Sequence, residues 1–332
     1  MAAGTEVLAL VGGESLMGRE IRDLLANTSL GLNLKLIASD ESDAGKLTEH
    51  GGEPAVLMKL DAGEAQEFAA IILAGSPAST RNVLDMPARP LLIDLTYAAE
   101  DQPNARLRAP MVEPPDYHVP AGATHVIAHP AAIAVALALG RIHSRFPVRR
   151  SVVHIFEPAS ERGKQGVEEL HQQTINLLSF KGLPKEVFDA QLAFNLLASY
   201  GEEAPVVMED VELRIERHLA TLLSISSRAP LPSTRLIQAP VFHGHSSSLW
   251  IEFENNPGAG ALEQALASDL IDVRRSDSEP PNIVGFAGQS GVAVGGITLD
   301  RNNTQACWAW MVADNVRLQA ENAVKVADQI NK

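Results

Sequence analysis

Val7-Leu8-Ala9-Leu10-Val11-Gly12-Gly13-Glu14-Ser15-Leu16-Met17-Gly18 changes character twice in a short span. Its apolar opening has no alternation, as expected of a strand covered on both faces in a parallel sheet. The glycine pair then turns the chain, and Ile21, Leu24 and Leu25 mark the inner face of a helix. A strand, a glycine turn and a helix N-terminus are the physical parts of a pyrophosphate cradle, because free first-turn amides and the helix dipole attract an anion. Gly12, Gly13 and Gly18 are therefore candidate cofactor contacts.

Further apolar runs follow at Leu34–Ala38, Ala70–Ser76 and Pro90–Asp94, spaced so that helices can cross over a parallel sheet. Gly75 closes the run from Ala70 and joins the candidate contacts. The chain has 332 residues, enough for two domains, and its 45% hydrophobic and 20% charged residues are ordinary for a globular protein. A net charge of -14 argues against nucleic acid or an anionic membrane as partner. Cys307 is the single cysteine, which excludes an intrachain disulfide and a thiol-rich metal site, so no metal is expected. The N-terminal residues do not read as a signal peptide, and the apolar run Pro130–Gly140 is too short to span a bilayer. The expected setting is cytoplasmic.

That run belongs to Ile127-Ala128-His129-Pro130-Ala131-Ala132-Ile133-Ala134-Val135-Ala136-Leu137-Ala138-Leu139, which predicts a buried helix entered through a proline. A buried helix N-terminus suits a catalytic thiol, since it lowers the thiol pKa. Here the side chains on offer are two alanines. With its flanks, the stretch resembles the active-site helix of the aspartate-semialdehyde dehydrogenase family, whose motif is Asn-Pro-Asn-Cys-Ser/Thr. The nucleophilic cysteine falls on Ala132, and an alanine cannot form a thioester.

The resemblance runs from Val7 to the last helix. The family's glycine loop, Gly-Ala-Thr-Gly-x-Val-Gly, matches at Gly12 and Gly18, with Ser15 in place of the middle glycine that lets the backbone approach the phosphates. The family arginine for the 2′-phosphate of NADP falls on Glu41, beside Asp40. Two carboxylates repel such a phosphate, whereas an acid at a second strand's end accepts from a ribose hydroxyl. Asp40 is thus a candidate cofactor residue, NAD is favoured over NADP, and binding of no dinucleotide is the remaining option. Ser160, Gly163 and Lys164 match the family's Gln-Ala-Val-Ser-Gly-Ala-Gly-Lys segment, but its substrate-orienting glutamine becomes Glu157.

Gln191-Leu192-Ala193-Phe194-Asn195 and Pro240-Val241-Phe242-His243-Gly244-His245-Ser246 are close to the family segments. The resemblance places the general acid/base on His245, and His243 reads as a surface residue. The family's Arg-x-Arg pair is replaced by Gly296 and Thr298. Arg217, set against a family arginine for the substrate carboxylate, reads rather as a surface helix position. Val312-Ala313-Asp314-Asn315 matches well, and it implies that Asn315 lies near the nicotinamide.

The fold expected from this resemblance is α/β: a Rossmann-type nucleotide-binding domain (1–128), an α+β substrate and dimerisation domain (129–312), and a C-terminal helix (313–332) returning to the first domain. The resemblance implies a homodimer. The leading functional expectation is a homologue that lacks the family reaction, like the cysteine-lacking paralogues of this family, and acts as a binding or regulatory protein with a protein partner. The alternative is an enzyme with altered chemistry, using Glu157 and His245 as an acid–base pair with NAD and no covalent intermediate.

Overall fold

The computed structural model describes residues 7–26, 28, 30–87 and 89–330, with Leu32 described by its backbone alone. The chain divides into two compact units: the first runs to Ala128 and resumes at Gln319, and the second is His129–Leu318. The sequence expectation drew the C-terminal boundary at 313; the division falls inside the last helix instead, whose first turn belongs to the second unit.

The first unit contains β1 (Leu8–Val11), α1 (Leu16–Leu25), β2 (Leu34–Ile37), the hairpin β3 (Leu47–His50) and β4 (Glu53–Val56), β5 (Ala70–Leu73), α2 (Pro77–Leu84), β6 (Leu91–Asp94), β7 (Ala105–Arg108) and β8 (Thr124–Ile127). Six strands pair in parallel in the order β2-β1-β5-β6-β8-β7, with Leu8 opposite both Leu34 and Ala70. The strands lack alternation because both faces are covered. Leu8, Leu10, Ile72 and Ile93 pack with Ile21 and Leu25 and with Ala320, Ala323, Val326 and Ala327 of the C-terminal helix. Ala9, Val11, Ile71 and Leu73 pack on the other side with Phe68 and Val83.

Strand order reverses between β1 and β5, the place where open α/β sheets bind ligands beyond the strands' carboxyl ends. Gly12 and Gly75 sit at those two ends. A Cβ on Gly12, whose φ is +82, would lie 2.3 Å from the Gly75 Cα, and one on Gly18 would lie 2.0 Å from the Gly12 carbonyl oxygen. Backbone contact therefore requires glycine at both positions.

A buried polar network ties the last two strands to the C-terminal helix. Arg108 makes a two-pronged contact with Glu113, Nε to Oε1 at 2.9 Å and Nη2 to Oε2 at 3.0 Å. Its Nη1 lies 2.7 Å from His125 Nδ1, and Nη2 donates to Gln329 Oε1 at 2.6 Å. The guanidinium also stands over the Tyr117 ring. Periodicity does not reveal this network, which joins residues 221 apart in sequence.

The second unit contains α3 (Pro130–Arg145), β9 (Val148–Glu157), α4 (Gly163–Leu178), α5 (Met208–Ser226), β10 (Ser233–Gln238), β11 (His245–Phe253), α6 (Ala259–Leu266), β12 (Ile271–Val273), β13 (Val292–Leu299), β14 (Ala306–Ala313) and the start of α7 (Asn315–Ile330). Its mixed sheet has the order β10-β9-β11-β14-β13-β12. Val153, Ile155, Leu249 and Ile251 are buried on one face, while Val152, His154, Phe156, Ser248, Trp250 and Trp310 are half-buried on the other. Every residue from Pro130 to Leu139 is buried, so α3 is apolar all round because it is covered all round. Cys307 is also buried, with its Sγ 3.3 Å from Asn256 Oδ1.

Burial, and after it the charge of Arg108, hold the His125 imidazole down at about 4, against 6.5 in an unfolded chain. As pH falls the unfolded chain therefore protonates first. This contribution is fully present above about pH 6.5 and is lost towards pH 4, amounting to about 3 kcal/mol. Urea denaturation at neutral pH and near pH 4.5 should show His125→Gln losing less stability than wild type across that interval. Equal losses would remove His125 as the cause.

Candidate functional site

A short turn places most of the polar groups of the second unit. β9 ends at Glu157, and Ala159–Arg162 form a 3-10 turn whose amides at Ala159 and Ser160 donate to the carbonyls of Val241 and Phe242. The left-handed Gly163 (φ 63) then lets α4 begin. This puts Glu157, Glu161 and Arg162 beside the segment that leads into His245.

His245 opens β11 and is 2% exposed. Neither ring nitrogen has a hydrogen-bond partner among the described residues. Its Nε2 lies 3.8 Å from Glu161 Oε1, and its ring centroid is 5.7 Å from that of His129. Burial, only partly opposed by the charge of Glu157, brings His245 down to about 4, so it is neutral at physiological pH.

His129 caps the N-terminus of α3. Its Nδ1 accepts from the Ala131 amide at 3.2 Å, which leaves the proton of the neutral ring on Nε2, 3.4 Å from Glu161 Oε2. Its own amide donates to His218 Nδ1 at 2.9 Å. Ala132, fully buried, follows within the same first turn.

The expected Glu157–His245 pair does not form. Arg162 Nη2 donates to Glu157 Oε1, while Glu157 Oε2 is buried without a hydrogen-bond partner. A buried guanidinium offers a full charge and the neutral imidazole does not, so the carboxylate goes to the arginine. Glu161 is the carboxylate that faces both imidazoles. The sequence reading passed over it, although Glu157-Pro158-Ala159-Ser160-Glu161-Arg162 carries two acids within one turn. Burial pushes both carboxyls up, with Arg162 opposing, and the arginine stays firmly protonated between them.

Asn315 is 2% exposed and its amide is engaged within the second unit. Its Oδ1 accepts from the Gly244 amide at 2.9 Å, and its Nδ2 donates to Glu161 Oε1 at 2.8 Å and to Ser160 Oγ at 3.1 Å. Here it acts as a positioning residue that holds the loop before His245 against the carboxylate. Arg217 is exposed on α5; the groups of that helix whose charge bears on His129 are His218 and then Arg214. His243 and Lys164 are exposed. No group of three or more His, Cys, Asp or Glu among the described residues is placed to hold a metal ion.

In the first unit, the Ser15 hydroxyl accepts from the Gly18 amide at 2.8 Å and donates to the Ala74 carbonyl at 2.7 Å. Ser15 is thus the N-cap of α1, and it takes up one first-turn amide that a glycine would leave open. Gly13 gives its carbonyl to Arg22 Nη1 at 2.9 Å. Gly75 is needed for packing: a Cβ there would lie 2.6 Å from the Ser39 Cβ. Asp40 is fully exposed, and its Oδ1 accepts from the Ser42 amide at 2.8 Å to cap the next turn. The buried carboxylate atom at the end of β2 comes instead from Glu14. Its Oε1 accepts from the amide of Ser39 at 3.1 Å and from the Ser39 hydroxyl, and its Oε2 is buried without a partner. Glycine turn and helix N-terminus are together the parts of a pyrophosphate cradle.

Comparison with known proteins agrees with this architecture. The family model described as "Semialdehyde dehydrogenase, dimerisation domain" matches residues 139–318. The chain belongs to the aspartate-semialdehyde dehydrogenase family. It is 26% identical to the aspartate-semialdehyde dehydrogenase of Rickettsia bellii, covering 98% of this chain and 97% of that one. It is 29% identical to the USG-1 protein homolog of Azotobacter vinelandii, over 98% of this chain and 97% of the relative. Among solved structures, a probable aspartate-semialdehyde dehydrogenase from Pseudomonas aeruginosa superposes with a TM-score of 0.86 at 25% identity, covering 98% of each chain. No helix among the described residues is long and apolar enough to cross a membrane.

Asn315→Ala removes an acceptor from a buried amide and a donor from a buried carboxyl together. The expected cost is about 2–4 kcal/mol in urea denaturation. A loss below about 1 kcal/mol would show that water replaces the amide without penalty.

Proposed function

We propose that this chain is a dinucleotide-binding member of its family that does not carry out covalent acyl transfer and serves as a binding or regulatory protein. The observation that carries the reading is Ala132, a buried methyl group in the first turn of α3, where the resemblance puts the nucleophile. Substitutions at Glu157, Gly296 and Thr298 point the same way, since each lies where the resemblance puts a substrate-holding group. Losing a covalent nucleophile removes several orders of magnitude in rate.

The second reading, non-covalent acid–base chemistry, draws support from the two unbonded nitrogens of buried His245, with Glu161 rather than Glu157 as the acid beside it. Magnitude decides against it as the leading reading. A base works best with a pKa near the operating pH. An imidazole at about 4 costs about 4 kcal/mol to protonate at neutral pH. His245 is better suited to hydrogen-bond a ligand as a neutral group than to abstract a proton.

NAD, rather than NADP, is the dinucleotide we assign, on the carboxylate that Glu14 brings to the end of β2. When bound, such a cofactor supplies hydride chemistry; the chain's own part is to cradle the pyrophosphate at α1 and exclude a 2′-phosphate. We also infer a cytoplasmic homodimer, the pairing supported by the match to a dimerisation domain.

The test is a spectrophotometric assay of the full-length protein with aspartate semialdehyde, phosphate and either NAD or NADP. The expected rate is indistinguishable from the protein-free reaction. Turnover of about 1 s⁻¹ or faster, the ordinary range for enzymes, would overturn the proposal.

A further inference from the structure

The carboxylate of Glu14 has a use that glycine-turn geometry alone does not explain. It leaves the loop between β1 and α1 and crosses to the carboxyl end of β2, where Ser39 holds Oε1 with both its amide and its hydroxyl. Those two donors fix the side chain. Oε2 is buried and receives no hydrogen bond from any described residue. An unmade hydrogen bond to a buried carboxylate oxygen is costly, so a polar group of a ligand is the natural partner for it.

Position narrows the ligand. The end of the second strand beside a glycine turn is where an acidic residue meets a ribose in nucleotide-binding sheets. The acids that follow β2 in sequence are otherwise employed. Asp40 caps the turn at Ser42, Glu41 pairs with Lys59 at 2.6 Å, and Asp43 pairs with Lys46. Lys46 and Lys59 thus both face carboxylates in surface pairs.

We propose that Glu14 is the specificity-determining residue for the nucleotide. Its Oε2 accepts a hydrogen bond from the 2′-hydroxyl of the adenosine ribose of NAD, and its charge excludes the 2′-phosphate of NADP. Ser39 acts as its positioning residue. The inference rests on the reading that the first unit binds a dinucleotide, and the experiment separates the two.

The experiment is calorimetric titration of the full-length protein with NAD, NADP and the 2′-deoxyadenosine form of NAD. Wild type should bind NAD at least about tenfold more tightly than either of the others, the scale of one charge-assisted hydrogen bond. Glu14→Gln keeps the shape and loses the charge, so it should weaken NAD about tenfold, bring NADP to within a few-fold of NAD, and register the missing hydroxyl less strongly than wild type. Ser39→Ala should move in the same direction, with its unfolding temperature serving as the check on folding. Asp40→Asn should leave the NAD to NADP ratio unchanged.

If Glu14→Gln keeps the wild-type ratio, or Asp40→Asn abolishes it, the role of Glu14 is overturned while dinucleotide binding stands. If wild type binds neither NAD nor NADP at millimolar concentration, the underlying reading fails and the inference falls with it.

Discussion

A guanidinium buried beside two carboxyl groups is the constraint on which the polar interior of the second unit depends. Arg162 holds Glu157 directly and opposes the upward shift of Glu161, and its ring neighbour Tyr200 donates to Gln238 Oε1 at 2.7 Å. Removing one member of such a pair leaves an uncompensated buried charge, at a cost of about 3–5 kcal/mol. The turn from Pro158 to Gly163 must therefore keep its shape. That shape in turn sets Glu161 against His129 and His245, and Ser160 against Asn315. Removing the arginine would disturb every one of these contacts, although none of the imidazoles touches it.

The same constraint sets the basicity of His245. An imidazole that must take a thiol proton needs a basicity near neutrality, and that requires a charge to hold its protonated form. Here the nearest carboxyls are already matched to Arg162 and Asn315. Desolvation then wins, and the ring stays neutral. A weakly basic, hydrogen-bonding histidine fits these surroundings. The first unit departs from the family pattern in a similar way: Ser15 and Glu14 bring polar side chains into the turn that glycine and threonine occupy in the family motif, and each is anchored by backbone or hydroxyl partners.

Much of the architecture was legible in the sequence because it rests on local signals. Apolar runs without alternation mark strands covered on both faces, and Leu8 through Val11 are buried throughout. The proline entry and apolar length of Pro130–Leu139 mark a buried helix, and it is one. Gly12 and Gly18 read as a turn because only glycine tolerates the backbone contacts found there. The alanine at position 132 is visible in the same way, since a residue type is a property of the chain itself.

Partner choice was not legible. Which carboxylate meets which cation depends on side chains brought together by long-range packing and on the different cost of burying each charge. Glu157 went to Arg162 rather than His245, Glu161 emerged between the imidazoles, and Glu14 reached across to Ser39. The Arg108–His125–Gln329 network joins strands to a helix from the far end of the chain. The sequence by itself determined the elements, their order and the alanine at position 132, because these follow from residue type and spacing. Tertiary structure alone decided the charge pairing, because desolvation and distance act only once the chain has folded.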